Sequence, residues 1–297
     1  MKNSKVHVAL IVVVLAAVLG VVSFSARSSN RGQAAQSKGE SKVKSTSRVA
    51  DRTTANASTT AFAAAATQNA ALRNELTWTF GGKQQRGWSL YELLIGKTLK
   101  TQEDAGTSDF ASAVAAWQKR SGLSADGVLD EDSLMRLVSQ WQSNRLKVRT
   151  PATPDQLVLA PASEFYDPSR AEELRQVERN TYAAYKRMIA AAIADPTLKL
   201  TPGNKYFKII SAFRSREYQD ELRRRSPNAG SAGLAVNSPH FTGRALDIYV
   251  GGDPVDTKDS NRAIQVDTPA YRWLVRNAER FGFRPYFYEP WHWEYVG

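Results

Sequence analysis

The stretch SPHFTGRALDIYV, residues 238–250, contains the pattern that decides the fold of the C-terminal half of the chain. Its apolar residues Leu246, Ile248 and Val250 recur at every second position, which predicts a β-strand. Asp247 falls on the other side of this strand, where its carboxylate is free to contact a metal ion. His240 precedes the strand, at the end of a loop rich in glycine, serine, asparagine and proline.

A second histidine lies in YEPWHWEYV, residues 288–296. Pro290 cannot donate to a β-ladder, so it separates the last two predicted strands. On the second of them, His292 and the aromatic side chains face opposite sides. Two histidines and a carboxylate are a standard protein-ligand set for catalytic zinc, with the fourth position left to water. Glu289 is the candidate to take a proton from that water, and Glu294 is a weaker one.

The two motifs together resemble a known enzyme family. The pattern SxHxxGxAxD over residues 238–247, followed by ExxH over residues 289–292, is similar to the zinc D-alanyl-D-alanine carboxypeptidases of the VanY type. The resemblance extends over roughly residues 166–297 and fills every defining position of both motifs. It implies one Zn²⁺ ion bound by His240, Asp247 and His292, with Glu289 as the catalytic base.

The resemblance also implies an arginine that binds or polarises the substrate near the scissile carbonyl. Such an arginine follows the first strand of the domain, and Arg214 occupies the matching position. Arg216 is the nearest alternative, and the sequence does not separate the two.

These patterns predict an α+β domain over residues 169–297, with a small, mostly antiparallel sheet flanked by helices. The predicted helices cover residues 169–194, 216–225 (capped by Ser215) and 269–281, and the predicted strands cover residues 206–212, 244–250, 283–288 and 291–296. Residues 149–168 contain four prolines and are predicted to be an interdomain linker.

Residues 71–148 are predicted to form a small three-helix domain. Apolar residues recur at helical spacing in three segments, and Ser108 and Asp130 are the predicted N-caps of the second and third. With the glycine-containing turns between those two helices, the pattern resembles the peptidoglycan-binding domain attached to many wall hydrolases, over about 35 residues. The resemblance implies peptidoglycan as a partner but no particular ligand contacts.

Residues 1–26 are predicted to be an uncleaved membrane anchor or a signal peptide. Their apolar run is about 19 residues long, enough to span a hydrocarbon core of about 30 Å. Ser23 and Ser25 also fit a cleavage site. Residues 27–70 contain few large apolar side chains, so we expect a disordered basic linker there. The bulk of the chain is therefore expected outside the cytoplasm, in the cell envelope, either anchored or secreted.

The composition narrows the classes of function. The net charge of +11 suggests an anionic surface as neighbour, but no nucleic-acid-binding motif is present, and no nucleic acid partner is expected. The chain has no cysteine, which excludes disulfides, a thiolate zinc site and a cysteine nucleophile.

The sequence therefore predicts a zinc metallopeptidase that releases terminal D-alanine from peptidoglycan stem peptides. L,D-carboxypeptidase and endopeptidase activity remain alternatives, because the loop contacts that set selectivity cannot be read from the sequence. A non-catalytic wall-binding protein with structural zinc is the alternative from another class. The oligomeric state stays open.

Overall fold

The computed structural model describes residues 62–201, 203–227 and 234–297. Within these ranges the α-helices are α1 Ala63–Glu75, α2 Glu92–Leu99, α3 Ser108–Arg120, α4 Glu131–Ser143, α5 Arg179–Ile193, α6 Arg216–Arg225, α7 Asp259–Asp267 and α8 Pro269–Asn277. The strands are β1 Thr77–Phe80, β2 Lys83–Arg86, β3 Leu157–Leu159, β4 Gln176–Glu178, β5 Ile209–Ser211, β6 Ala245–Ile248, β7 Phe283–Pro285 and β8 His292–Tyr295.

The predicted anchor or signal peptide at residues 1–26 lies outside the described residues, as does the predicted linker up to residue 61. Among the helices of the described ranges, none is long and apolar enough to span a bilayer.

A four-stranded antiparallel sheet forms the centre of the C-terminal region. Its strand order is β5-β6-β8-β7, and two smaller antiparallel pairs, β1-β2 and β3-β4, lie elsewhere in the chain. The register of β6 against β8 places Asp247 opposite His292. This sheet and the helices around it confirm the predicted α+β class.

The last two strands are shorter than predicted because a turn separates them. β7 ends at Pro285, and two backbone hydrogen bonds close the turn, from Glu289 N to Tyr286 O (3.1 Å) and from His292 N to Glu289 O (2.9 Å). The turn brings Glu289 close to the start of β8.

The helix predicted over residues 169–194 was placed too early. α5 begins at Arg179, because the carboxylate of Glu178 accepts hydrogen bonds from the backbone N–H groups of Asn180 (3.0 Å) and Thr181 (2.8 Å). The preceding residues form a 3₁₀ turn, Glu172–Leu174, and strand β4.

Helix α7 is absent from the sequence prediction. Its buried side chains are Asn261, Arg262 and Gln265. A helix that buries polar groups has no apolar stripe, so hydrophobic periodicity could not reveal it.

The residues predicted as an interdomain linker pack onto the C-terminal region. β3 pairs with β4, and Ala152 N donates to Phe241 O (2.8 Å). Two 3₁₀ turns, Pro154–Gln156 and Ala162–Glu164, flank β3. Backbone groups of this segment therefore form hydrogen bonds with the rest of the fold.

The helical region contains the three predicted helices as α2, α3 and α4, but the three-helix description is incomplete. Asp130 caps α4 as predicted, whereas Thr107 rather than Ser108 caps α3. Helix α1 and the β1-β2 hairpin were not predicted. Asn69 fixes α1 to the fold, since its amide donates to Gly127 O (2.8 Å) and accepts from Leu129 N (2.7 Å). The linker boundary at residue 70 is therefore too late, because α1 starts at residue 63.

The helical region, residues 62–148, and the C-terminal region share one continuous hydrophobic cluster. Phe287 of the C-terminal region packs against aromatic rings of the helical region, with centroid distances of 4.7 Å to Phe80 and 5.8 Å to Trp141. The buried guanidinium of Arg262 donates across the same interface to Tyr91 Oη (3.0 Å) and Gln85 Oε1 (3.3 Å). The buried apolar surface and these hydrogen bonds stabilise the contact between the two regions.

Candidate metal centre

A short 3₁₀ turn, Pro239–Thr242, presents His240 to the sheet. The hydroxyl of Ser238 accepts from the backbone N–H of His240 (3.3 Å), and the turn ends at Gly243 with φ of 65°. A Cβ atom at Gly243 would lie 2.9 Å from a backbone nitrogen of β4, so the position requires glycine. His240 Nδ1 lies 2.6 Å from the carbonyl oxygen of Ala212. Nδ1 therefore carries the hydrogen and donates it, which leaves the Nε2 lone pair free.

His292 faces Asp247 with Nδ1, whereas His240 faces it with Nε2. His292 Nε2 lies 3.2 Å from Glu294 Oε1, and a carboxylate can only accept, so the hydrogen sits on Nε2. Its Nδ1 lies 2.9 Å from Asp247 Oδ1, and His240 Nε2 lies 3.3 Å from the same oxygen. Two imidazole nitrogens therefore converge on one carboxylate.

The three predicted ligands are brought together by the fold. Their ligand atoms all lie within 4.8 Å of one another, and each residue is at most 4% exposed. The donor set fits zinc, which takes histidine nitrogen and carboxylate oxygen and keeps a position open in catalytic sites.

The charges around the cluster suit metal binding. Burial lowers the pKa of His240 to about 4, and the charge of Arg214 acts in the same direction. Burial alone would raise the pKa of Asp247, but its contacts with His240, Arg214 and His292 hold it well below its usual value. A neutral imidazole and an ionised carboxylate are the forms that bind a metal.

His292 has two acidic neighbours. Burial lowers its pKa, but hydrogen bonds to Asp247 and Glu294 outweigh burial and raise it to about 9. A metal ion bound at Nδ1 would compete with a proton there, so metal binding would release it.

Glu289 lies beside the cluster, as the sequence predicted. It is 7% exposed, and its Oε2 lies 4.0 Å from His292 Nδ1. Burial raises its pKa to about 8, although the charge of His292 opposes the shift. A carboxylate with a pKa near neutrality is well matched to proton transfer.

Of the two candidate arginines, Arg214 faces the site. It is 9% exposed, and its Nη2 lies 2.5 Å from Asp247 Oδ2 while its Nε donates to Ser211 Oγ (2.9 Å). Arg216 is exposed, and its guanidinium lies 4.8 Å from the ring centre of Phe241. Arg214 lines the cleft above the cluster, and Arg216 does not.

The cleft has a volume of about 370 Å³ and is bordered by two further arginines, Arg145 and Arg170. Arg145 comes from the end of the helical region and pairs with Glu294, which is fully buried. Glu294 therefore lies on the Nε2 side of His292, not on the Nδ1 side where a base is needed. The strand parity of residues 292 and 294 was the one sequence signal for this contact, and nothing in the sequence indicated Arg145.

Residues 174–297 match the family model VanY, D-alanyl-D-alanine carboxypeptidase. The matched residues contain both motifs on which the resemblance in the sequence rests. No curated protein matches the chain.

Three solved structures resemble parts of the chain. The LdcB LD-carboxypeptidase is 25% identical, with a TM-score of 0.35 over 48% of this chain and 69% of that chain. A variant of the vancomycin-resistance D,D-pentapeptidase VanY in complex with Zn(II) is 22% identical, with a TM-score of 0.32 over 53% and 89%. VanYB in complex with D-alanine-D-alanine is 24% identical, with a TM-score of 0.28 over 47% and 86%.

Proposed function

We propose that the chain is a zinc-dependent D,D-carboxypeptidase that removes the terminal D-alanine of peptidoglycan stem peptides. The observation that carries the proposal is the convergence of His240 Nε2 and His292 Nδ1 on Asp247 Oδ1, with Glu289 beside them. The family match over residues 174–297 supports the reaction class.

Each residue has a separate task in this proposal. Zinc, when bound, supplies a Lewis acid that lowers the pKa of water and polarises a carbonyl. Glu289 accepts a proton from the attacking water and delivers it to the leaving amine, because its buried carboxylate lines the cleft 4.0 Å from His292 Nδ1. Arg214 contributes fixed positive charge where negative charge develops on the carbonyl oxygen.

The cleft favours a substrate with a free carboxylate. Arg145, Arg170 and Arg214 all border it, and their positive charge attracts the anionic end of a peptide. Such a substrate would be cleaved near its terminus, which is carboxypeptidase rather than endopeptidase action.

The wall is the proposed place of action. Peptidoglycan stem peptides lie outside the cytoplasm, so the enzyme would work in the cell envelope. The role of residues 71–148 in binding peptidoglycan, and a membrane anchor at residues 1–26, remain predictions from the sequence.

The test uses the purified full-length protein and a pentapeptide stem ending in D-Ala-D-Ala. We expect loss of one alanine, detected by mass, which stops on chelation and returns with Zn²⁺. The matching tetrapeptide serves as control: its cleavage in place of the pentapeptide would indicate L,D-carboxypeptidase activity. Bound zinc without cleavage of either peptide would contradict the proposal.

A further inference from the structure

The end of the helical region reaches the metal centre through one ion pair. Arg145 follows α4 and its cap, and its Nη2 and Nε lie 2.5 and 3.2 Å from Glu294 Oε1. The same carboxylate oxygen lies 3.2 Å from His292 Nε2. A continuous chain of contacts therefore runs from the helical region to a predicted metal ligand.

Glu294 is held almost entirely from this side. Its other oxygen accepts from the backbone N–H of Leu146 (2.9 Å), and the residue has no exposed surface. Without Arg145 and Leu146, a buried carboxylate would have His292 as its remaining polar contact among the described residues. An uncompensated buried charge is strongly unfavourable, so Glu294 would move from its position beside His292.

Arg145 is itself fixed in place. Its guanidinium carbon lies 3.9 Å from the ring centre of Tyr286, and its Nη1 donates to Gln142 Oε1 (3.1 Å) on α4. Its side chain is 15% exposed. Stacking and forked hydrogen bonds make arginine better suited to this position than lysine.

The hydrogen bond from Nε2 to Glu294 leaves Nδ1 as the nitrogen of His292 that faces Asp247. A carboxylate that accepts from the other ring nitrogen aligns the ring, and carboxylates of this kind strengthen metal binding by histidine. Arg145 lies outside the residues matched by the family, 174–297.

We propose that Arg145 is a positioning residue for the zinc centre: through Glu294 it fixes the orientation of His292, and so couples the docked helical region to metal affinity. The proposal rests on the zinc site proposed above.

The test is a zinc titration of the metal-free full-length protein against a chromophoric chelator, which needs no activity measurement. We expect Glu294→Gln to weaken zinc binding by about tenfold to a hundredfold and Arg145→Ala by about tenfold. Arg145→Lys should recover part of the loss. Arg136→Ala is the matched control, since Arg136 is exposed on α4 and donates to Ser121 O (3.4 Å), and the zinc affinity of this variant should equal that of the wild type.

The double variant distinguishes positioning from general destabilisation. If Arg145 acts through Glu294, then adding Arg145→Ala to Glu294→Gln should weaken zinc binding by no more than about twofold further. Fully additive losses, or an unchanged affinity in Arg145→Ala, would overturn the inference while leaving the proposed function intact. A wild-type protein that binds no zinc would overturn both. If Arg145→Ala does not fold, Arg145→Lys alone and combined with Glu294→Gln gives the same comparison.

Discussion

His240 and His292 offer the same chemical group to the centre, but their second nitrogens are held by different parts of the molecule. His240 Nδ1 donates to a backbone carbonyl, Ala212 O, within the family-matched region. His292 Nε2 donates to the side chain of Glu294, which Arg145 of the helical region holds in turn. The His240 side is therefore fixed by main-chain geometry, and the His292 side depends on two side chains that substitution can remove.

Removal of either histidine should have the same effect on zinc binding. We expect His240→Ala and His292→Ala each to abolish stoichiometric zinc binding and alanine release, since each removes one of three protein ligands. The measurement is metal content after dialysis, with peptide cleavage assayed in parallel. Stoichiometric zinc in either variant would remove that residue from the ligand set.

Replacement of Glu289, the proposed base, should lower the catalytic rate without weakening zinc binding. We expect Glu289→Gln to keep its zinc and to lower kcat by a factor of about 10²–10⁴, the usual contribution of a general base. Zinc titration and steady-state kinetics check both halves of this prediction. Glu173→Gln is the matched control, because Glu173 is exposed and should leave both quantities unchanged. An unchanged kcat in Glu289→Gln would rule out Glu289 as the base.

Arg214 and Arg216 should differ in their contribution to catalysis, because only Arg214 contacts Asp247. We expect Arg214→Ala to lower kcat/KM by a factor of about 10²–10³, because a fixed charge near the developing oxyanion is lost. Arg216→Ala should change kcat/KM little, since its guanidinium lies over Phe241 outside the cleft. Equal losses in the two variants would contradict the assignment made from the geometry.

Signals that act within a few residues could be read from the sequence. The Ser215 cap of α6, the Asp130 cap of α4 and the Thr268–Pro269 start of α8 occur where the sequence placed them. Strand parity placed Asp247 and His292 opposite the apolar and aromatic side chains of their strands, and the resemblance carried by the two motifs implied the set His240, Asp247 and His292, which the structure brings together. Each of these signals depends on neighbours in the chain.

Contacts between distant segments left no such trace. The ion pair of Arg145 with Glu294 joins residues 149 positions apart, and either residue alone reads as an ordinary charged side chain. The four prolines at residues 149–168 suggested a linker, but the pairing of β3 with β4 depends on a partner strand that periodicity does not identify. The sequence analysis placed a boundary between the helical and C-terminal regions because the local composition changes there. In the structure, the aromatic packing around Phe287 joins the two regions.

Ser238→Ala tests the support of His240 and is expected to have the smallest effect on zinc affinity. Ser238→Ala removes the hydroxyl that caps the turn carrying His240, at a cost of about 1 kcal/mol in the free energy of unfolding. The hydrogen bond from His240 Nδ1 to Ala212 O remains, so zinc affinity should change by less than about twofold, far less than in Glu294→Gln.

Denaturant unfolding of the metal-free protein and zinc titration measure the two quantities separately. Ser143→Ala, an exposed serine at the end of α4, is the control for removing a surface hydroxyl. If Ser238→Ala weakened zinc binding as much as Glu294→Gln, the His240 side would also depend on a side chain, and the difference between the two histidines would disappear. A selective loss in Glu294→Gln means instead that the metal site is most sensitive where it meets the helical region, because that is where side chains replace the backbone as the support of a ligand.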